Sequence, residues 1–99
     1  DLIGVADKAT RAREVTDLGA EFVEMHAGLD EQAEDGFSLD TLLTQGTDSG
    51  VAFSVAGGVS TSTIEAVQKS GASVAVAGGA IYGADDPAAA AAELRSAII

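Results

Sequence analysis

The chain has 99 residues and no cysteine, and its 16 acidic residues against 5 basic ones give a net charge of −11. This charge disfavours nucleic acid and anionic membrane surfaces as partners, because both would be repelled at long range. The lack of cysteine excludes a disulfide framework and a thiolate metal site and favours a cytoplasmic location. No apolar stretch reaches the ~18 residues that a membrane-spanning helix needs.

The first half of the chain predicts two units of a strand followed by a helix. An apolar run at residues 2–5 predicts the first strand, and the next helix is expected to begin at the N-cap Asp7 and end at Gly19. A second strand is predicted at residues 22–26, followed by a polar loop, and Ser38 is expected to cap the second helix. The side chains expected on the buried faces of these helices are Ala12, Val15, Leu18, Leu39, Leu42 and Leu43.

The second half predicts two further units of the same kind. A third strand is expected at residues 51–56, followed by a helix that begins near Ser60 or Ser62. A fourth strand is expected at residues 74–77, before a last helix that Asp86 caps. The other positions assigned to these two helices are Gly71 at the end of the first, Pro87 at the start of the second, and the buried Ile64, Val67, Ala91, Leu94 and Ile98.

The order of these elements favours an α/β fold. Strand signals recur every ~20–30 residues with helices between them, which predicts parallel strands joined by crossover helices. Large residues such as Phe53, Val55, Val74 and Val76 are expected to face the helices, while small ones line a tightly curved inner surface. A closed (β/α)8 barrel usually needs ~200 residues or more. The sequence therefore predicts a parallel (β/α)4 half of a TIM-type barrel, with residues 1–99 as a single segment of a longer parent chain.

Two copies of Val-Ala-Gly-Gly, at residues 55–58 and 76–79, end the third and fourth predicted strands. Glycine allows a ligand to approach the backbone closely and tolerates positive φ, so the N–H groups of such turns can gather around an anion. One diglycine alone is only a turn signal. Two at equivalent positions of consecutive units predict a phosphate site. The candidate phosphate-binding residues are Gly57, Gly58, Gly78, Gly79 and Ala80.

The single histidine, His26, ends the second predicted strand. Strand alternation puts it on the inner face with Phe22 and Glu24, nearest the mouth where barrel enzymes carry their chemistry. An imidazole there can transfer protons near neutral pH, or it can simply form a hydrogen bond at a strand end. Glu24 can orient the ring or pair with a basic residue that the sequence does not identify.

Four motifs taken together are more specific than any one of them. They are Asp-Leu-Ile at residues 1–3, Met-His-Ala-Gly-Leu-Asp at 25–30, Val-Ala-Gly-Gly-Val at 55–59, and Val-Ala-Gly-Gly-Ala-Ile-Tyr-Gly-Ala-Asp-Asp-Pro at 76–87. The combination resembles the C-terminal half of the 3-hexulose-6-phosphate synthases, a family within the orotidine 5'-monophosphate decarboxylase superfamily of barrels. The resemblance covers the whole chain and implies a magnesium-dependent aldolase that joins formaldehyde to D-ribulose 5-phosphate.

The resemblance also implies roles for particular residues. His26 matches the family histidine at the end of the sixth barrel strand, a proton carrier for the enediol intermediate, and Asp1 matches an acidic position at the end of the fifth. The two diglycines match the phosphate-holding loops of the seventh and eighth strands. Related decarboxylases carry arginines where this chain has Leu29 and Gly79. The decarboxylase branch of the superfamily is therefore disfavoured.

The family's catalytic Asp-x-Lys-x-x-Asp motif is absent from the sequence. The resemblance places that motif and the magnesium ligands on early strands, so no metal-binding residue is predicted within residues 1–99, and the chain alone is expected to be inactive. Two hypotheses remain: the phosphate-binding half of an aldolase, or a non-catalytic half-barrel that self-associates through its open strand edges. A homo-oligomer is expected in either case. A sugar-phosphate epimerase or isomerase ranks below both.

Overall fold

Three parallel strands in the order β1-β2-β3 form the only sheet of the computed structural model, which describes residues 1–99. The strands are β1 (Val23–His26), β2 (Phe53–Ala56) and β3 (Val74–Val76). His26 lies opposite Ala56, which in turn lies opposite Val76, so the three strands end level with one another. The parallel arrangement confirms the predicted α/β class.

Six helices connect and follow these strands. They are α1 (Lys8–Asp17), α2 (Leu29–Gln32), α3 (Leu39–Ser49), α4 (Ile64–Lys69), α5 (Gly79–Tyr82) and α6 (Pro87–Ser96). The caps predicted at Asp7, Ser38 and Asp86 are confirmed, because each side chain accepts a hydrogen bond from a backbone N–H of the first helical turn. The short helices α2 and α5 were not predicted. None of the six combines the length and hydropathy that crossing a bilayer requires.

The hydrophobic core lies between one face of the sheet and the helices. Val23 and Met25 of β1 share this face with Phe53 and Val55 of β2, as the alternation predicts. Helix side chains cover them, and the buried ones are Ala12, Leu42, Leu43, Ile64, Val67 and Leu94. Gly46 of α3 leaves room for the Phe53 ring, since a Cβ there would stand 2.5 Å from Cε2.

Leu18 and helix α4 depart from the predictions. Leu18 was expected to be buried but is 87% exposed, because α1 ends at Asp17 and the chain then turns through Gly19 at φ +112°. Helix α4 begins at Ile64, later than Ser60 or Ser62, because residues 61–63 form a turn in which the Thr63 hydroxyl accepts from the Ser60 N–H. The two buried side chains predicted for this helix are nevertheless in the core.

The strand predicted at residues 2–5 is wrong. Only Leu2 reaches the sheet, where its N–H donates to the Glu24 carbonyl at 3.0 Å. The chain then turns at Gly4, whose φ of +77° is incompatible with a strand, and the Val5 N–H bonds back to the Leu2 carbonyl. The sheet consequently has three strands instead of four.

The expected orientation of β3 is also wrong. Val74 and Val76 face the inner side of the sheet and are 49% and 43% exposed, while Ala75 packs against the core. The parallel register explains this, because Ala75 lies opposite Val55 and therefore points to the same face. The inner face of β3 is thus apolar and uncovered within the chain.

A buried ion pair, which the sequence did not indicate, ties α1 to α2. The Lys8 side chain is 2% exposed, and its Nζ donates to the Val5 carbonyl at 2.7 Å and to both carboxylate oxygens of Glu31 at 3.1 and 3.2 Å. All the hydrogen bonds of this ammonium group remain within the chain, as a buried charge requires. The pair fixes the start of α2, which forms one side of the candidate site.

Candidate functional site

A cleft of about 560 Å³ opens where the three strands end. Its walls include residues at the carboxyl ends of the strands: His26 at the end of β1, Gly57 and Gly58 after β2, and Gly78 and Gly79 after β3. We call the two pairs the first and second glycine turns. Ala80 lies in the same wall. The structure therefore brings together the predicted histidine and all five predicted phosphate-binding residues.

Asp1 is not among the residues that line the cleft, but it contacts His26. Its Oδ2 and Oδ1 are 3.1 and 3.3 Å from His26 Nδ1, and Oδ1 also accepts from the Ile3 N–H at 2.9 Å. A carboxylate can only accept, so the hydrogen of a neutral imidazole lies on Nδ1. This leaves the lone pair on Nε2, which has no partner within the chain. The pair can therefore accept a proton at Nε2 while the carboxylate stabilises the charged ring.

Glu24 is the second carboxylate beside the imidazole. Its Oε2 is 3.5 Å from His26 Nδ1, and its Oε1 accepts from the Ser54 hydroxyl at 3.4 Å. No lysine or arginine of the chain forms an ion pair with it, and its side chain is 26% exposed. Of the two interpretations left open by the sequence, these contacts favour the one in which Glu24 orients the histidine.

The first glycine turn requires glycine for two separate reasons. Gly57 and Gly58 have φ values of +96° and +87°, in the region that side chains disfavour. In addition, a Cβ on Gly57 would overlap the backbone carbonyl oxygen of Ala27. The second turn is different, since Gly78 has a φ of −106° and a Cβ there would meet only the Tyr82 ring, at 3.4 Å.

Several backbone N–H groups in the cleft wall have no acceptor within the chain, which indicates an anion site. Those of Gly57, Gly58 and Gly78 donate to no backbone or side-chain acceptor of the chain. The first residues of α5, Gly79 and Ala80, also start a helical turn and have no carbonyl four residues earlier in that helix. Two sets of N–H donors thus belong to residues that line one cleft, and donors of this kind can hold the oxygens of a phosphate.

Among the cleft residues that sequence reasoning missed, two carry large polar side chains. Gln32 ends the unpredicted helix α2, and its Nε2 donates to the Ala27 carbonyl at 2.9 Å. Tyr82 ends α5, with its ring beside the second glycine turn and its side chain 80% exposed. Both lie on helices of four residues. Such helices are too short to produce a periodic pattern, so the sequence carries no signal for either residue.

Asp1, Glu24 and His26 form the one cluster in the chain with metal-ligand chemistry. One potential ligand atom from each lies within 4.8 Å of the others. However, Mg²⁺ prefers six oxygen ligands in octahedral geometry, and this set includes an imidazole nitrogen that both carboxylates contact directly. The residues therefore do not fit a magnesium site.

The carboxyls with shifted acidity lie outside the cleft. The Thr10 backbone N–H and hydroxyl hold the pKa of Asp7 below its ordinary value of 3.8, at the start of α1. A hydrogen bond from Lys69 lowers the pKa of Glu65 on α4. Both shifts therefore reflect helix capping and a surface ion pair and have no connection with the site.

A parallel sheet with its strand ends, two glycine turns and a histidine around one cleft defines an α/β protein of the TIM-barrel type. A family model described as the orotidine 5'-phosphate decarboxylase / HUMPS family matches residues 1–94, and the chain belongs to that family. The resemblance seen in the sequence is thereby confirmed.

Curated relatives of this chain are 3-hexulose-6-phosphate synthases. The chain is 72% identical over 98 residues to a 3-hexulose-6-phosphate synthase from Mycobacterium gastri, which covers 99% of this chain and 47% of that protein. It is 52% identical over 95 residues to a 3-hexulose-6-phosphate synthase from Methylomonas aminofaciens, over 95% of this chain and 46% of that protein. The chain spans about half the length of the curated relatives it matches.

Solved structures agree with this comparison. A crystal structure of a 3-hexulose-6-phosphate synthase superposes with a TM-score of 0.95 at 72% identity, over 100% of this chain and 48% of that one. A second, from Salmonella typhimurium, gives a TM-score of 0.82 at 32% identity, over 97% and 46%. These matches confirm the α/β fold of the TIM-barrel type. The predicted half-barrel is consistent with the coverage of about half of each solved chain. The epimerase or isomerase alternative is not favoured.

Proposed function

We propose that residues 1–99 are the C-terminal, phosphate-binding half of an aldolase that condenses formaldehyde with D-ribulose 5-phosphate to give 3-hexulose 6-phosphate. The relatives from two organisms, at 72% and 52% identity, carry the name of this enzyme. The observation that carries the proposal is the cleft itself, where His26 and both glycine turns meet. We also propose a cytoplasmic location, which the lack of cysteine favours. The net charge of −11 supports our further proposal that neither nucleic acid nor a membrane is a partner.

The phosphate of the sugar is held by backbone groups. No lysine or arginine lines the cleft, so the free N–H groups of the two glycine turns supply the positive ends of dipoles that an anion needs. These dipoles act at contact distance, whereas the field of the chain's net charge is screened over ~8–10 Å. An acidic protein can therefore bind a phosphorylated substrate at this site.

His26 moves the proton. The product has its carbonyl at the third carbon, so the new carbon–carbon bond joins formaldehyde to C1 of D-ribulose 5-phosphate. His26 Nε2 takes a proton from C1, and the electron pair passes to the C2 carbonyl oxygen to form an enediolate. C1 then attacks formaldehyde as the C2 carbonyl re-forms, and the aldehyde oxygen takes the proton back from Nε2 of the His26 imidazolium and becomes a hydroxyl. Asp1 stabilises the imidazolium through Nδ1.

Magnesium is the cofactor that we propose for the complete enzyme. When bound, it would supply stabilisation of the enediolate charge. Because Asp1, Glu24 and His26 do not fit this ion, its carboxylate ligands are proposed to lie in the parent chain outside residues 1–99. The division of labour leaves phosphate binding and proton transfer to the residues described here.

Self-association is the second function that a particular observation favours. The strands β1 and β3 are the two edges of the sheet, and Val74 and Val76 expose an apolar inner face. Both features favour association, because unpaired strand edges and apolar patches seek cover. We propose a homo-oligomer, and sedimentation of the isolated chain should show a dimer or larger species. A monomer at micromolar concentration that unfolds cooperatively would contradict this.

Formaldehyde consumption in the presence of D-ribulose 5-phosphate tests the catalytic proposal. In the parent enzyme, His26→Ala should lower turnover by ~10²-fold or more and change substrate affinity little, because the imidazole acts in proton transfer and not in phosphate binding. The 99-residue chain alone should be inactive. Turnover close to the parental value in His26→Ala would make the histidine structural, and magnesium-dependent activity of the isolated chain would contradict the division of the catalytic residues.

A further inference from the structure

Gln32 connects the two strand ends that carry the histidine and the first glycine turn. Ala27, next to His26, is fully buried, and its N–H donates to the Ala56 carbonyl at 3.2 Å. Its own carbonyl faces Gly57 so closely that no side chain fits there. The Gln32 amide completes this junction by donating to the Ala27 carbonyl at 2.9 Å. The glutamine side chain is therefore held in place at the base of the cleft.

The anchoring bond fixes which way the amide points. The Ala27 carbonyl can only accept, so the NH₂ group of Gln32 must face it and Oε1 must lie on the other side. Oε1 stands 4.0 Å from the position that a Cβ on Gly58 would take, and no donor of the chain bonds to it. Gln32 lines the cleft together with both residues of the first glycine turn, so this acceptor lies near the turn whose N–H groups are free.

An unpaired acceptor next to anion-binding donors selects for a particular ligand chemistry. Oε1 would repel a phosphate oxygen placed against it, because both groups are acceptors, whereas a hydroxyl group would donate a hydrogen bond to Oε1. In an open-chain sugar phosphate, hydroxyls lie one or two carbons from the phosphoester. We propose that Gln32 Oε1 accepts a hydrogen bond from a hydroxyl of the bound sugar phosphate. This contact would make the cleft select polyhydroxylated phosphate esters over unhydroxylated ones. The proposal rests on the phosphate site proposed above.

Two small ligands isolate this contact from phosphate binding. Glycerol 3-phosphate and n-propyl phosphate share the three-carbon phosphoester and differ in their hydroxyls. In the parent enzyme, Gln32→Met should weaken binding of glycerol 3-phosphate about 5- to 10-fold more than binding of n-propyl phosphate, as expected for one lost hydrogen bond. Any distortion of the first glycine turn would weaken both ligands equally and would cancel in this ratio.

Gln68→Met is the matched control, because it removes the same amide far from the cleft, where Gln68 Oε1 accepts from the Ile99 N–H. It should leave the ratio of the two affinities unchanged. In the unsubstituted protein, the side-chain amide resonances of Gln32 should shift on addition of glycerol 3-phosphate and much less with n-propyl phosphate, a measurement that does not depend on folding of the variant.

The outcomes separate this inference from the proposed function. An unchanged affinity ratio in Gln32→Met, or equal shifts of the Gln32 amide with both ligands, would overturn the role of Gln32 while leaving the phosphate site standing. Failure of the unsubstituted parent to bind either phosphate ester would overturn both proposals. The contact between Oε1 and a sugar hydroxyl is supported if Gln32→Met lowers the affinity for glycerol 3-phosphate relative to that for n-propyl phosphate. It also requires that the Gln32 amide resonances shift with glycerol 3-phosphate and much less with n-propyl phosphate.

Discussion

Gly57→Ala should be the most damaging single-methyl substitution in the candidate site. The added Cβ faces two obstacles, a φ of +96° and overlap with the Ala27 carbonyl oxygen. Gly58 has only the first obstacle, with a φ of +87° and open space around it apart from Gln32 at 4.0 Å. Gly78 has neither, since its φ is −106° and the nearest atom belongs to the Tyr82 ring. The three glycines therefore form a graded series.

The cost of each substitution follows from these obstacles. A side chain at left-handed φ costs about 1–2 kcal/mol, and forcing a methyl group against fixed backbone adds about 1–3 kcal/mol. Gly57→Ala should thus lower the free energy of unfolding by about 2–5 kcal/mol, and Gly58→Ala by about 1–2 kcal/mol. Gly78→Ala should cost no more than about 1 kcal/mol. The first loss is a large share of the ~5–15 kcal/mol that stabilises a typical domain.

Denaturant unfolding of the parent enzyme measures the series directly. The midpoints should fall in the order Gly78→Ala, Gly58→Ala, Gly57→Ala at unchanged slope. Equal midpoints for Gly57→Ala and Gly58→Ala would refute the close approach of Ala27. The order also decides which variant can test phosphate binding. Gly78→Val should weaken sugar-phosphate binding by roughly 1–3 kcal/mol in a folded protein. Gly57→Val is unsuitable for this test, because its side chain would overlap the Ala27 carbonyl oxygen.

Two further predictions concern the scaffold. Gly46→Ala should lower the free energy of unfolding by about 1–3 kcal/mol, because its Cβ would stand 2.5 Å from the Phe53 ring; a fully stable variant in thermal unfolding would contradict the packing. Asp7 has a folded-state pKa below 3.8 because Thr10 donates to it, so its charge contributes stability above the unfolded pKa that is lost as the pH falls through the folded pKa. The free energy of unfolding, measured with urea, should exceed that of Asp7→Asn by a constant amount from pH 8 to about 5 and by progressively less as the pH falls through the folded pKa of Asp7. A difference at pH 2 equal to that at pH 8 would contradict this.

The sequence was a good guide to the elements whose signals are local. The caps at Asp7, Ser38 and Asp86 were predictable because a short polar side chain before an apolar periodic run marks a helix start. The cleft was predictable in outline, because parallel strands end at one edge of the sheet and the motifs followed those strands.

Features set by pairing between distant segments were not predictable. Whether Ala75 or Val76 faces the core depends on the register with Val55, which the alternation within β3 does not reveal. The apolar run at residues 2–5 looks like a strand, yet Gly4 turns the chain after a single bond to the sheet. Gln32 could not be found, because its role depends on the close approach of Ala27 to Gly57, which follows a different strand.

The binding of phosphate by backbone N–H groups is the central claim, and amide resonances measure it most directly. When D-ribulose 5-phosphate is titrated into the ¹⁵N-labelled parent enzyme, the amides of the two glycine turns and Ala80 should shift the most. Those of Gly19 and Gly71, which donate to carbonyls of the chain, should stay in place. Shifts confined to residues outside the two turns, or none on saturation with a ligand that the enzyme turns over, would contradict the account.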